Sequence, residues 1–194
     1  EDLSKEQLRI VRAHPAMGSE LVSQSKNIDF EILGIIENHH ERMDGSGYPR
    51  GIEGASIPLL ARIAGLVDAY DAMITPRPYA SARTSHEAVQ ELIDSKGSAF
   101  QDSLVEQFVQ AIGLFPTGSL VELNTGEVAI VIRQNRARRL KPEVVVVLDA
   151  AKRRKEVLGL IDLANQDQRA EEERWIAREL LAGAYGVNSE EYFI

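Results

Sequence analysis

The sequence predicts an α+β protein: a mainly α-helical bundle, then a small antiparallel β appendage and a terminal helix. Three observations predict it. Apolar residues recur at helical spacing through the first 112 residues. A hairpin signal, Asn124-Thr125-Gly126, and the β-branched run Val144-Val145-Val146-Val147 follow. Residues 169–182 then form a last helix, ended by Gly183 or Gly186. The expected division is a helical domain at 1–112, a β-rich extension at 113–165, and a C-terminal helix and tail at 166–194.

Each element has a local reason. Ser4 with Gln7 three residues on makes a capping box, and Leu8 and Val11 continue at helical spacing. Pro15 restarts the chain just after His14. Asp29 caps a second helix, whose apolar positions Ile32, Ile35 and Ile36 run on into His39, His40 and Met43 as one buried helical face. Residues 44–58 hold four glycines and two prolines and read as a long loop. Helices are expected from about 59 to 74, from Ser85 to about 95, and from Asp102 to about 112. Residues 119–123 and 127–134 form a hairpin, residues 143–148 a further strand, and residues 157–161 a short edge strand. Trp175 is expected to be a packing anchor of the last helix.

The chain of 194 residues is long enough for one good core plus a small appendage, with 44% hydrophobic and 27% charged residues. It has no cysteine. Disulfides and thiolate ligands are therefore excluded, and any metal must use His, Asp or Glu, which suits Mn, Fe or Zn. No apolar run approaches the ~18 residues of a membrane span, and no signal peptide is evident, so a cytoplasmic location is the expectation. A net charge of −8 argues against broad nucleic-acid binding.

Two of the four histidines stand together in His39-His40-Glu41-Arg42-Met43-Asp44-Gly45-Ser46-Gly47-Tyr48-Pro49. Adjacent histidines commonly hold a metal, and a glycine-rich turn exposes backbone N–H groups to anions. His14, His39, His40 and Asp68 come from three separate predicted helices, as in metal sites built in bundle cores. On the residues alone, a metal site and a set of hydrogen-bonded core polar groups fit this pattern equally.

Residues 14–112 resemble the HD-GYP family of HD-domain phosphohydrolases. The resemblance rests on His14-Pro15 with Gly18, His39-His40-Glu41, the run Asp44-Gly45-Ser46-Gly47-Tyr48-Pro49, and Gly51, Gly54 and Ile57-Pro58. It continues through Ala61-Arg62-Ile63, Asp68-Ala69-Tyr70-Asp71-Ala72 and Arg77-Pro78-Tyr79. It implies an HD-domain-type helical bundle and hydrolysis of the bacterial second messenger cyclic di-GMP to pGpG or GMP by metal-activated hydroxide. His14, His39 and His40 would ligate one metal of a cluster of two or three divalent ions, Fe or Mn, and Asp68 a neighbouring one. Asp44, Gly45, Gly47, Tyr48 and Pro49 would shape the ligand site, and Arg77 would approach a phosphate. The basic residue the family often carries shortly after Arg-Pro-Tyr would here be Arg83.

The family's His-Asp dyad and its nearby lysine are expected upstream of Glu1, so the catalytic residues are not assigned within this chain. Residues 1–194 alone are expected to be inactive. The alternative is a catalytically incomplete HD-GYP module that binds cyclic di-GMP or a partner protein. Expected partners are cyclic di-GMP, another signalling domain of GGDEF or receiver type, and a second copy in a homodimer. DNA, RNA and, for this segment, a membrane are not expected. In the appendage, Arg136, Arg138, Arg139 and Lys141 and then Lys152-Arg153-Arg154-Lys155 make a basic rim. It reads as solvated turns, or else as a dock for an acidic partner.

Overall fold

A computed structural model of the chain describes residues 4–25, 27–77, 81–135, 137–166 and 173–192. These fall into two compact units, one drawn from residues 1–82 and 90–108 and the other from 83–89 and 109–194.

The first unit is helical. Helix α1 spans Lys5–Arg12 behind the Ser4–Gln7 capping box, and α2 spans His14–Ser23 with Pro15 in its first turn. Proline is tolerated there because its missing N–H has no helical partner at that position. Helix α3, Phe30–Asn38, is capped by Asp29, whose side chain accepts from the Glu31 N–H at 2.9 Å. Helix α4 spans Leu59–Ile74. Helices α2 and α4 each pack on α3. Two further helices each have residues in both units: α5, Ser85–Asp94, which starts at a Thr84–Glu87 capping box, and α6, Asp102–Ile112. No described helix is long and apolar enough to cross a membrane.

One helical expectation is corrected. Helix α3 ends at Asn38, with His39 as its C-cap, so the helix does not run on to Met43. Ile32 is 45% exposed and the two histidines are half-buried. The histidines leave the helical face because the chain turns into the loop at His39. The Glu41 N–H donates to the Asn38 carbonyl at 3.0 Å and the Gly45 N–H to the Arg42 carbonyl at 2.9 Å.

The second unit is built on a five-stranded antiparallel sheet in the order β4-β3-β2-β1-β5. Strands β1, Leu120–Leu123, and β2, Val128–Arg133, form the expected hairpin. Gly126 takes a positive φ of 80° at its turn. Strand β3, Glu143–Leu148, carries the valine run. Val144 and Val146 join an apolar cluster with Val121, Val131 and Leu163, while Val147 and Leu148 join another with Leu120, Val128 and Val187. The sheet is therefore covered on both faces, so β3 shows no apolar–polar alternation. A register irregularity between Val146 and Leu148 accompanies the change of face. Strand β4, Arg154–Asp162, is the edge strand, longer than residues 157–161 suggested.

The expected terminal helix is overturned where it is described. Residues Ile176–Leu180 form β5, paired antiparallel with β1, with Leu180 opposite Leu120 and Arg178 opposite Glu122. Residues 169–172 of that expected helix lie outside the described residues. Trp175 is 51% exposed and is no buried anchor. Its backbone is instead tied to Asn124, through the Asn124 N–H to the Trp175 carbonyl at 3.0 Å and the Trp175 N–H to Asn124 Oδ1 at 2.9 Å.

The basic rim is largely neutralised within the sheet unit. Lys152 lies 3.2 Å from Glu122, Lys155 3.2 Å from Glu127, Arg153 2.8 Å from Asp149 and Lys141 2.7 Å from Glu173. Arg138 donates to the Ala164 carbonyl at 2.7 Å. Arg136 lies outside the described residues. This arrangement favours paired turns over an open basic dock.

Candidate metal centre

Three ring nitrogens converge in the helical unit. His14 Nε2 lies 3.2 Å from His39 Nε2 and 3.1 Å from His40 Nε2. His14 opens α2, His39 ends α3, and His40 follows it in the turn. Helix packing between α2 and α3 brings together residues 25 and 26 positions apart.

The other nitrogen of each ring decides what the convergent ones can do. His14 Nδ1 lies 2.7 Å from the Val11 carbonyl, and His39 Nδ1 lies 2.9 Å from the Ile36 carbonyl. A carbonyl only accepts, so each Nδ1 carries a proton, and the neutral tautomer this fixes has its lone pair on Nε2. His40 Nδ1 faces Asp68 Oδ2 at 3.7 Å, too far for a direct hydrogen bond but close enough for the carboxylate to orient the ring. Burial, and then the neighbouring His39, push the His40 imidazole down to about 4, so it is neutral at pH 7.

Three lone pairs facing one another at this range repel unless a cation lies among them. Metal–nitrogen bonds of about 2.0–2.1 Å place adjacent ligand nitrogens roughly 3.0–3.4 Å apart, which brackets the two separations here. One ligand atom from each of the three lies within 4.8 Å of the others, a group that could hold a divalent ion. His14 is exposed and the other two are half-buried, so one side of the site is open.

The loop after His40 is locked onto this centre. The Tyr48 ring stacks on His40 with centroids 4.5 Å apart and planes at 21°. The Arg12 guanidinium lies over the Tyr48 ring, 5.4 Å from its centroid. The Tyr48 N–H donates to the His40 carbonyl at 3.2 Å. This approach requires Gly47, because a Cβ there would coincide with the backbone of Glu41 and Arg42. Gly45 takes a φ of 76°, and the Tyr48–Pro49 peptide is cis. The Asp44 carboxylate accepts from the Ser46 N–H at 3.0 Å and the Ser46 hydroxyl at 2.6 Å, and these bonds hold it below the usual carboxylate range. Asp44 thus shapes its own turn.

Two residues that position the centre escaped the sequence reading. Glu41 is 4% exposed, and its carboxylate accepts from the Arg50 N–H at 2.8 Å and the Ile52 N–H at 3.1 Å. It closes the loop across eleven residues. Its signal was a carboxylate directly after two histidines in an apolar setting. Gly65 was the second, and its signal was a lone glycine inside a helical pattern. Arg77 is half-buried just beyond α4. Residues 78–80 lie outside the described residues, and Arg83 belongs to the second unit.

Residues 1–104 match the HD domain family, and residues 120–169 match a KOW domain associated with HD domains. The chain belongs to the HD domain family, in keeping with the HD-GYP resemblance of its motifs. Among its relatives is the cyclic di-GMP phosphodiesterase PA4108 of Pseudomonas aeruginosa, 31% identical over 166 residues, or 86% of this chain and 40% of that protein. The cyclic di-GMP phosphodiesterase response regulator RpfG of Xanthomonas campestris is 38% identical over 125 residues, covering 60% of this chain and 33% of that protein. A 3'3'-cGAMP-specific phosphodiesterase 2 of Vibrio cholerae is 33% identical over 109 residues, 56% of this chain and 21% of that protein. The chain thus spans less than half the length of each. A solved structure of Bd1817, an HDG"Y"P protein from Bdellovibrio bacteriovorus, aligns with a TM-score of 0.46 at 25% identity, over 54% of this chain and 32% of that one.

Proposed function

We propose that this chain supplies the three-histidine metal site and the ligand-facing turn of a cyclic di-GMP phosphodiesterase. The observation that carries the reading is the convergence of three Nε2 lone pairs beside the Tyr48 turn, in a chain whose relatives bear that activity in their names. The metals are Fe or Mn, in a cluster of two or three, with Asp68 serving a neighbouring ion. When bound, such ions lower the pKa of water and neutralise charge on a phosphodiester.

The chain's own residues do the rest. Val11, Ile36 and Asp68 hold the imidazoles in the orientation that aims Nε2 at one point. The Asp44, Gly45, Gly47, Tyr48 and Pro49 turn shapes the wall beside the histidines, and Tyr48 offers a ring to a guanine base. Arg77 is the cation for a phosphate oxygen.

A second reading is a module that binds the dinucleotide without cleaving it. It holds if the full-length gene encodes no His-Asp dyad ahead of Glu1. Assay of the full-length, metal-loaded gene product with cyclic di-GMP separates the two, by following pGpG and GMP chromatographically. The enzyme reading expects turnover that His39→Ala or His40→Ala abolishes. Binding without product supports the module, and neither binding nor product rejects both. Residues 1–194 assayed alone are expected to bind metal without turnover.

A further inference from the structure

We propose, resting on the three-histidine metal site above, that Arg42 is its positioning residue: a clamp that lets two consecutive side chains face one ion.

Adjacent residues are an awkward pair of ligands. At 3.6 residues per turn, neighbouring side chains on a helix point about 100° apart. His39 and His40 instead bring their ring centroids to 4.2 Å, and both Nε2 atoms approach His14 Nε2. The peptide bond between them governs this, because its orientation sets the angle between the two side chains. The oxygen of that bond is the His39 carbonyl. Arg42 Nη1 donates to it at 3.2 Å and to the Glu41 carbonyl at 3.0 Å. Gly65 meets the same His39 oxygen, and a Cβ on Gly65 would also lie 3.4 Å from Arg42 Nη1. Carbonyl, guanidinium and bare Cα thus form one contact. The intervening His40 carbonyl is taken by the Tyr48 N–H. Arg42 therefore serves two of three successive carbonyls in the turn that carries the ligands.

Arg42 is itself held in place. It is half-buried, and its guanidinium lies over the Phe100 ring, 4.9 Å from the centroid. The next residue is tied to the same segment, through the Met43 N–H to the Ala99 carbonyl at 3.0 Å. A guanidinium holds its N–H bonds in one rigid plane, whereas a lysine ammonium is a point charge on a flexible stem. Charge and clamp also predict opposite signs. A fixed positive charge near a cation repels it, so a purely electrostatic role makes Arg42→Met tighten metal binding. A clamp makes the same variant weaken it, because the His39–His40 peptide is freed to turn.

The test is Co(II) titration of the 194-residue chain, followed by the visible ligand-field spectrum, which reports coordination geometry. Wild type is expected to bind Co(II). Arg42→Met is expected to weaken binding about 10-fold or more and to change the spectrum. Arg42→Lys keeps the charge and is expected to shift both in the same direction by less, which keeps the test open should the methionine variant fail to fold. Arg62→Met controls for a general loss of stability. Arg62 is a half-buried arginine of the same unit, donating to the Ile57 carbonyl at 2.9 Å and to Gln101 Oε1 at 2.6 Å. Its replacement is expected to lower the thermal midpoint and leave the Co(II) spectrum unchanged. Tighter or unchanged binding in Arg42→Met overturns the proposal, and so does a wild-type spectrum and affinity in Arg42→Lys. An Arg62→Met chain that alters the spectrum as much as Arg42→Met overturns it too. A wild type that binds no Co(II) overturns the metal site along with the clamp, whereas binding that ignores both Arg42 variants overturns the clamp alone.

Discussion

Gly65 of α4 has no side chain because the backbone carbonyl of His39 occupies the place where its Cβ would stand. This contact seats the histidine turn directly on α4, three residues before Asp68 on the same helix. Gly65→Ala must therefore move α4 or the His39 turn. Overpacking of this kind costs about 1–3 kcal/mol. We expect a lowered thermal midpoint and weaker metal binding together, read by calorimetry and by metal titration. An unchanged metal affinity would show that the turn is positioned by the loop alone.

The convergent imidazoles carry the metal prediction. His14→Ala, His39→Ala and His40→Ala are each expected to remove the bound ion, measured by elemental analysis after dialysis, with the helical signal retained. Asp68→Asn leaves the three Nε2 atoms in place but takes away the charge behind His40. Loss of such an orienting partner typically weakens binding about 10–100-fold. A complete loss with Asp68→Asn would show that the carboxylate does more for this ion than orient His40.

Glu41 closes the loop that carries Tyr48. Glu41→Ala leaves the Arg50 and Ile52 N–H groups without their acceptor. A buried donor left unpaired costs about 1–3 kcal/mol each. Hydrogen exchange at Arg50 and Ile52 is expected to accelerate before any change at β1–β3. Equal protection in variant and wild type would refute the brace.

The sheet should respond to acid through Glu122. Hydrogen bonds from Arg178 and then Lys152 hold its carboxyl below the usual range. A folded-state value below the unfolded one adds stability above the ordinary glutamate pKa of about 4.3, and that stability is lost as pH falls through the depressed value. The thermal midpoint is therefore expected to drop on acidification below about pH 4, and Glu122→Gln should flatten part of that slope. An identical pH profile in the variant would remove Glu122 from the account.

Much of this was legible because it is local. The Ser4–Gln7 box, the Asp29 cap, the extent of α4 and the Asn124-Thr125-Gly126 turn each depend on residues within a few positions of one another. The segment Ile176-Ala177-Arg178-Glu179-Leu180 was misread for the converse reason. Ala, Arg, Glu and Leu are strong helix formers, yet pairing with β1 some 56 residues away decides the matter, and its Arg178–Glu122 bond joins the two strands. The histidine face failed likewise. Helical spacing continued on paper past Asn38, but the loop pinned by Glu41 draws the chain out of the helix.

The sequence by itself determined the α+β class, the family motifs and the identity of the three histidines, because residue type and short-range spacing carry those. Only the tertiary structure decided that their Nε2 atoms meet, that Asp68 stands behind His40, and that Gly47 and Gly65 are the points of closest approach. It also decided that β4 and β5 flank the sheet among the described residues. These are distances between segments that touch only after packing, and neither propensity nor period encodes a distance.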